Sequence, residues 1–330
     1  MSGEKMRILT GYRPTGRLHL GHLHGNLERM LDLQEQGNEC FFFVADWHAL
    51  TTEYRESGEM RSNIEEMVLD WLAFGLDPER SHIYLQSDLP EIPQLFLLLS
   101  MITPLGWLER VPTYKEQLEQ LNHKEINTFG FLGYPVLQAA DILGVQADAV
   151  PVGEDQLPHL ELTREIARRF NYLYGDYFKE PASLLSSYTR IVGTDGRKMS
   201  KSYGNAIWLH DSPEVIKEKV REMVTDPARM TRRDPGSPER CAAVFQLHRA
   251  YTLDRLEEIS ENCRGAAWGC VDCKRLLAER IATTLEPFRE RRNELEKEPD
   301  LAWQVLEDGC KKVRPVVEGV LRGARERAGI

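Results

Sequence analysis

Short apolar runs alternate with amphipathic stretches through the first 170 residues of the chain. Arg7-Ile8-Leu9-Thr10-Gly11 and Cys40-Phe41-Phe42-Phe43-Val44-Ala45 are brief, apolar and flanked by Gly or Asp, the pattern of buried strands. His82-Ile83-Tyr84-Leu85 predicts a third. Between them Ile64, Met67, Val68, Trp71 and Phe74 recur at helical spacing, and Gly75 stands where a helix would stop. Strand, helix and strand at these lengths predict an α/β fold, a doubly wound parallel sheet whose ligands bind outside the carboxyl ends of its strands. After about residue 215 the strand signals fade and charged amphipathic stretches take over, as in Leu277, Ile281, Leu285 and Phe288. This second region predicts helices. Asp234-Pro235-Gly236-Ser237-Pro238 predicts an exposed turn near the transition.

A length of 330 residues accommodates two domains, divided here as 1–205 and 206–330. Hydrophobic content of 42% and charged content of 28% argue against long disorder. No run approaches the roughly 20 apolar residues of a membrane span, and Met1 to Met6 is polar, so a cytoplasmic protein is expected. A formal charge of −10 disfavours non-specific adhesion to nucleic acid, so any RNA contact needs local basic patches. Six cysteines in an intracellular setting suit metal or cluster ligation better than disulfides.

Two stretches carry chemistry. Arg13-Pro14-Thr15-Gly16-Arg17-Leu18-His19-Leu20-Gly21-His22 follows the first predicted strand and precedes a helix. Such a turn lets backbone approach an anion, the helix N-terminus adds free N–H groups, and the two histidines can donate to phosphate oxygens. Read alone, the same residues could equally cap a helix at the surface. Gly193-Thr194-Asp195-Gly196-Arg197-Lys198-Met199-Ser200-Lys201-Ser202 joins a glycine-rich loop to two lysines three apart. Their ammonium groups could close over a triphosphate and stabilise leaving pyrophosphate; as an isolated feature it would be a solvated basic turn.

Together the two stretches resemble the paired signature motifs, HIGH and KMSKS, of class I aminoacyl-tRNA synthetases; Lys198 to Ser202 matches letter for letter, and His19 to His22 differs by Leu for Ile. The segments Tyr134 to Leu143, Val150 to Gln156 and His159 to Arg164 are similar to the tryptophan branch of the tyrosine/tryptophan subclass, the likeness running from about Met6 to Asn205. The resemblance implies a Rossmann-like catalytic domain, a C-terminal helical anticodon-binding domain, and a homodimer. It implies activation of L-tryptophan by ATP and transfer to tRNA(Trp). It assigns catalytic roles to His19, His22, Lys115, Lys198 and Lys201, and ATP contacts to Arg13, Pro14, Thr15, Gly21, His22, Gly153, Glu154, Asp155, Ile191 and the Lys198, Met199, Ser200, Lys201, Ser202 loop. Arg13 often has Gln in its place in relatives and would put charge near the substrate carboxylate or α-phosphate. Leu9, Tyr134, Gln138, Asp141, Val150, Val152 and Gln156 are the implied tryptophan contacts, with Asp141 accepting the indole N–H. A pocket selecting indole does need one buried acceptor on an apolar wall. Tyrosine is the rival substrate, against which Ala140 leaves room for a bicyclic ring. A more distant alternative is a relative that has lost aminoacylation and binds RNA as an iron–sulfur sensor. The chemistry needs no general base, because the amino-acid carboxylate is already ionised, and Mg²⁺ would be held mainly by phosphates.

Cys241, Cys263, Cys270 and Cys273 are spaced C-x21-C-x6-C-x2-C. The tight last pair can grip one metal centre, with the other two completing four ligands. A subset of the tryptophan branch with a [4Fe–4S] cluster carries a similar pattern, with the first gap one residue longer; four-thiolate Zn²⁺ is the alternative. Cys40, inside an apolar strand, and Cys310, in a C-terminal helix, are expected to be core or incidental residues. Arg232, Arg233, Lys274, Arg275, Arg289, Arg291 and Arg292 are basic candidates for tRNA backbone contact, or else a solvated helix face.

Overall fold

A computed structural model describes residues 5–111, 126–185 and 191–330. Five parallel strands, β1 (Arg7–Tyr12), β2 (Glu39–Val44), β3 (Ser81–Leu85), β4 (Ala149–Val152) and β5 (Ala182–Leu185), form one sheet in the order β3-β2-β1-β4-β5. β1 and β2 pair from Arg7↔Glu39 to Tyr12↔Val44. The first three strands follow the sequence expectation to within a residue or two, because their apolar runs are buried on both faces: Ile8, Cys40, Phe41, Phe42 and Val44 are fully covered. Helices α1 (Glu28–Glu35), α2 (Asp46–Glu53), α3 (Met60–Phe74), α4 (Glu91–Ser100), α5 (Leu105–Leu108), α6 (Phe129–Gly144) and α7 (Leu157–Tyr174) connect the strands. In α3, Ile64, Met67, Val68 and Trp71 are buried, and Gly75 ends it in the left-handed conformation at φ 116°, which a Cβ would strain.

Beyond the sheet come α8 (Pro213–Glu222), α9 (Ala242–Tyr251), α10 (Leu256–Arg264), α11 (Cys270–Leu295) and α12 (Leu301–Ala328), so the second region is helical as expected. Leu277, Ile281, Leu285 and Phe288 form the buried stripe of α11. α11 packs on α3, and α12 lies along β3. A Cβ at Gly309 of α12 would fall 1.8 Å from the Ile83 carbonyl oxygen, so a glycine is what lets this helix lie against β3. Cys40 and Cys310 are core residues. The predicted exposed turn at 234–238 is corrected: Gly236 and Pro238 are buried, because Gly236 donates its N–H to the Cys263 carbonyl at 3.0 Å and packs beneath that thiol. Among the described residues no helix is long and apolar enough to cross a membrane.

Candidate functional site

β1 splits its neighbours, β2 on one side and β4 on the other, so the sheet's switch point opens at its carboxyl end, where ligands of such sheets bind. There the chain turns into a short helix, Leu20–His22, which runs on through a π-helical turn, Leu23–Leu27. His19 caps it. Its Nδ1 accepts the Gly21 N–H at 3.1 Å, and His22 Nδ1 accepts the His19 N–H at 3.2 Å. Both Nδ1 atoms being acceptors, the neutral rings carry their protons on Nε2, ready to donate. Burial, aided by the other imidazole and by Lys198, lowers His19 to about 3; burial and Lys198 lower His22 to about 4. The two stacked rings, 3.8 Å apart, are therefore neutral hydrogen-bond donors at pH 7.

The second stretch folds as a hairpin. Val192 bridges Lys198, Met199 donates its N–H to the Ile191 carbonyl at 3.2 Å, and Gly196 turns the corner at φ 82°. Asn205, 2% exposed, braces it: Oδ1 accepts the Ser200 N–H at 2.8 Å, while Nδ2 donates to the Lys198 carbonyl at 3.1 Å and to Asp195 at 2.7 Å. The Asn205 bond, with Arg197 beside it, lowers the Asp195 carboxyl to about 2. Met199 is buried, and its Cβ lies 3.6 Å from where a Gly21 side chain would begin; Lys201 Nζ is 3.7 Å from the corresponding point on Gly16. The two loops thus face one another across a single cleft. Beyond the hairpin the chain pairs with the first loop, the Leu20 N–H donating to the Ile207 carbonyl and the Leu209 N–H to the Leu18 carbonyl, both at 3.0 Å.

Beside the cleft a cavity of about 980 Å³, counted to its open mouth, is lined by Leu9, Gly11, Arg13, Tyr134, Gln138, Asp141, Val150 and Gln156 among others. Phe43 forms part of its wall because Gly11 has no side chain; a Cβ there would sit 2.3 Å from the ring. Asp141 is 2% exposed. His48 Nε2 lies 2.8 Å from its Oδ2, and Gln86 Nε2 donates to Oδ1 at 2.8 Å and Oδ2 at 2.9 Å. Burial pushes the Asp141 carboxyl up, and the His48 and Gln86 contacts oppose that rise. A carboxylate has about four acceptor positions, and these contacts use three, leaving one on Oδ1 for a further donor.

Val152 is buried and is not among the residues lining this cavity, and Gly153 is where the Asp155 carboxylate folds back, 2.7 Å from the site of an absent Cβ. Glu154 and Asp155 are exposed in a turn that leads into α7; Pro14 is buried and Thr15 exposed. Arg13 turns to α2, bonding Thr52 with Glu53 at 3.8 Å, and so faces the cavity. Lys115 and the Ser202 side chain lie outside the described residues. Sequence reasoning gave no role to His48, Gln86, Phe43 or Asn205. Only the burial of Asp141, which demands donors around it, points to the first two.

The four late cysteines line one cavity of about 400 Å³ with Arg229, Gly236, Trp268 and Lys274. Cys241 caps α9, Cys263 sits near the end of α10, and Cys270 and Cys273 occupy the first turn of α11. Burial raises the Cys241, Cys263 and Cys273 thiols, the last to about 12. His248 Nε2 is 3.1 Å from Cys273 Sγ, and Arg229 Nη1 is 3.9 Å from Cys270 Sγ. A Cβ at Gly236 would come within 2.6 Å of Cys263 Sγ, so the bare glycine leaves that sulfur its place. Among the described residues no three His, Cys, Asp or Glu side chains converge on one point as a single ion would require. Of the basic candidates, Arg232, Arg233, Arg275 and Arg291 are exposed, Lys274 is tied to the Arg221 and Met223 carbonyls, and Arg289 to the Ala282 carbonyl. Arg292 is corrected: at 3% exposure it is internal and cannot touch RNA.

A parallel sheet with these two loops meeting at its carboxyl edge is the fold of a class I aminoacyl-tRNA synthetase. Residues 1–286 match the family described as tRNA synthetases class I (W and Y), and the chain belongs to it. It is 51% identical to the tryptophan–tRNA ligase of Thermotoga maritima over 322 residues, 97% of this chain and 98% of that one. The tryptophan–tRNA ligase of Treponema pallidum is 45% identical over 330 residues, covering 98% and 97%. The crystal structure of Campylobacter jejuni tryptophanyl-tRNA synthetase complexed with ADP and tryptophan superposes with a TM-score of 0.88 at 33% identity, covering 98% of this chain and all of that one.

Asn205→Ala is expected to leave the fold intact and to loosen the hairpin, since three part-buried hydrogen bonds at about 1 kcal/mol each are lost. In amino-acid-dependent ATP–pyrophosphate exchange kcat/KM for ATP should fall roughly tenfold or more. An unchanged value would show that the bracing has no bearing on the reaction.

Proposed function

We infer that this chain is a tryptophan–tRNA ligase: it joins L-tryptophan to the α-phosphate of ATP with release of pyrophosphate, and then transfers tryptophan to its tRNA. The observation that carries the reading is Asp141, a buried carboxylate in a cavity with one acceptor position left over, beside a cleft where neutral imidazoles meet exposed ammonium groups. Tryptophan lies with its indole N–H on Asp141 and its ring among Leu9, Phe43 and Val150, with Tyr134, Gln138 and Gln156 near its polar end. Its carboxylate attacks the α-phosphate in line, without a general base. His19 and His22 donate Nε2–H to phosphate oxygens, Lys198 and Lys201 neutralise the charge that builds on the departing pyrophosphate, and Gly21, Gly153 and Ile191 give ATP room and backbone contacts. Mg²⁺ supplies further charge neutralisation on the phosphates. The part of the chain from residue 206 is the RNA-binding portion, with Arg232, Arg233 and Arg275 exposed on it.

Two further assignments belong to the same reading. The four cysteines hold a [4Fe–4S] cluster rather than Zn²⁺. Support comes from a shared cavity and from Arg229 and Lys274 against the negative charge of four thiolates. The protein is a homodimer, its contact face being the exposed Leu97 and Met101 at the end of α4, Leu105 of α5 and Phe129 of α6, on elements that pack together.

Asp141→Asn should raise KM for tryptophan or lower kcat by roughly ten- to a hundredfold in pyrophosphate exchange, with KM for ATP nearly unchanged; unaltered tryptophan kinetics would remove Asp141 from the pocket, and exchange with tyrosine instead of tryptophan would overturn the substrate. Protein purified without oxygen should be brown, absorb in the visible blue and contain iron and sulfide, whereas colourless, zinc-rich protein would exclude the cluster. Sedimentation should give the mass of two chains, and Met101→Glu should shift it to one; a wild-type monomer would dispose of the dimer.

A further inference from the structure

Arg292, in α11 of the C-terminal region, is among the most deeply buried charges of the described residues, at 3% exposure. Its Nε lies 2.9 Å from Asp70 Oδ1, its Nη2 2.7 Å from Glu66 Oε2 and its Nη1 2.8 Å from Glu296 Oε1. Both acidic partners on α3 also reach the first phosphate loop. Asp70 Oδ2 accepts the Leu18 backbone N–H at 2.7 Å, and Glu66 Oε2 accepts from Arg17 Nε at 2.7 Å. Arg17 and Leu18 are the two residues immediately before His19. Asp70 is itself 1% exposed, and its carboxyl is raised to about 6 because burial outweighs the Leu18 and Arg292 contacts that oppose it. Without Arg292 the buried Asp70 carboxylate would lose its counter-charge and the part-exposed Glu66 would keep only Arg17, and the loop they hold would have to follow any rearrangement.

We propose that Arg292 is a positioning residue for adenylate formation: through Asp70 and Glu66 it sets where Leu18 and hence His19 stand relative to ATP. The helical region thereby fixes the phosphate loop at Leu18 from 274 residues further along the chain, through Asp70. Arg292 touches no substrate and acts entirely through the loop. Guanidinium is required because its planar fork serves Asp70, Glu66 and Glu296 at once, which an ammonium cannot reproduce. The proposal rests on the adenylate-forming reading above, and its test includes one measurement that does not.

The full-length protein would carry Arg292→Lys, Arg292→Met, Asp70→Asn and the Arg292→Met/Asp70→Asn pair. In tryptophan-dependent pyrophosphate exchange each single variant should raise KM for ATP or lower kcat by roughly tenfold to a hundredfold, with KM for tryptophan within about twofold of wild type. The pair should cost less than the product of the singles, since both act on one contact. Hydrogen exchange over residues 13–22, read by mass spectrometry, should accelerate in Arg292→Lys, the milder change, even where Arg292→Met does not fold. A lowered Tm with ATP kinetics and 13–22 exchange as in wild type would reduce Arg292 to a structural ion pair and overturn the proposal. Wild-type protein inactive in exchange, yet with 13–22 loosened in Arg292→Lys, would count against the ligase reading while upholding the positioning role.

Discussion

The backbone pairing of Leu18 to Leu20 with Ile207 to Leu209 is the contact on which the rest of the site depends. Two 3.0 Å hydrogen bonds, Leu20 N–H to the Ile207 carbonyl and Leu209 N–H to the Leu18 carbonyl, join loops that are 187 and 191 residues apart. They place the histidine loop and the lysine hairpin on one cleft without a side chain of either motif being spent on the task. His19 is then left to stack on His22 and to meet Trp208 edge-on at 5.8 Å, with its Nε2 free of any backbone duty. The pairing leaves over the N–H groups of Leu18 and His19; Asp70 takes the first and His22 Nδ1 the second.

α9 makes the second set of ties. Gln246 Oε1 accepts the Val192 N–H at the base of the lysine hairpin, Tyr251 OH meets His24 Nε2 in the π-helical turn at 2.8 Å, and His248 reaches Cys273 Sγ. One ten-residue helix therefore touches both phosphate loops and the cysteine cavity. A π turn inserts one residue into a helix and commonly marks a functional position. Here it puts His24 opposite Tyr251, so the irregularity has a concrete partner.

Much of this was legible in the sequence, and the gaps have physical causes. β1, β2 and β3 were readable because strands covered on both faces must be apolar throughout. β4 and β5 were not: Ala149-Val150-Pro151-Val152 is only four residues with a proline, and Ala182–Leu185 is an edge strand with little burial to enforce a pattern. The phosphate motifs were readable because glycine, histidine and lysine are needed at fixed spacing by the chemistry itself. His48 and Gln86 left no such trace, since a donor to Asp141 can come from any element that passes nearby. Arg292 did leave one. Ile281, Leu285 and Phe288 repeat every three or four residues, and the next position on that stripe is 292, so an arginine there is directed inward where its charged neighbours Arg289 and Arg291 are not.

That inward arginine also clarifies how an acidic protein handles a triphosphate. With a formal charge of −10 the chain has no broad positive field to draw ATP in, and burial keeps His19 and His22 neutral. Arg292 spends its charge on Asp70 and Glu66, Arg17 spends its own on Glu66, and Arg13 is turned toward Glu53. Arg197 is paired with Asp195, so among the described residues of the two motifs the remaining exposed cations are Lys198 and Lys201. In the function proposed above, fixed groups would supply shape and hydrogen bonds while net attraction would reside on the lysine hairpin, so charge neutralisation would be strongest when that hairpin lies against the phosphates. Such an arrangement would favour the transition state over the bound substrate, because charge builds on the leaving pyrophosphate where the ammonium groups would stand.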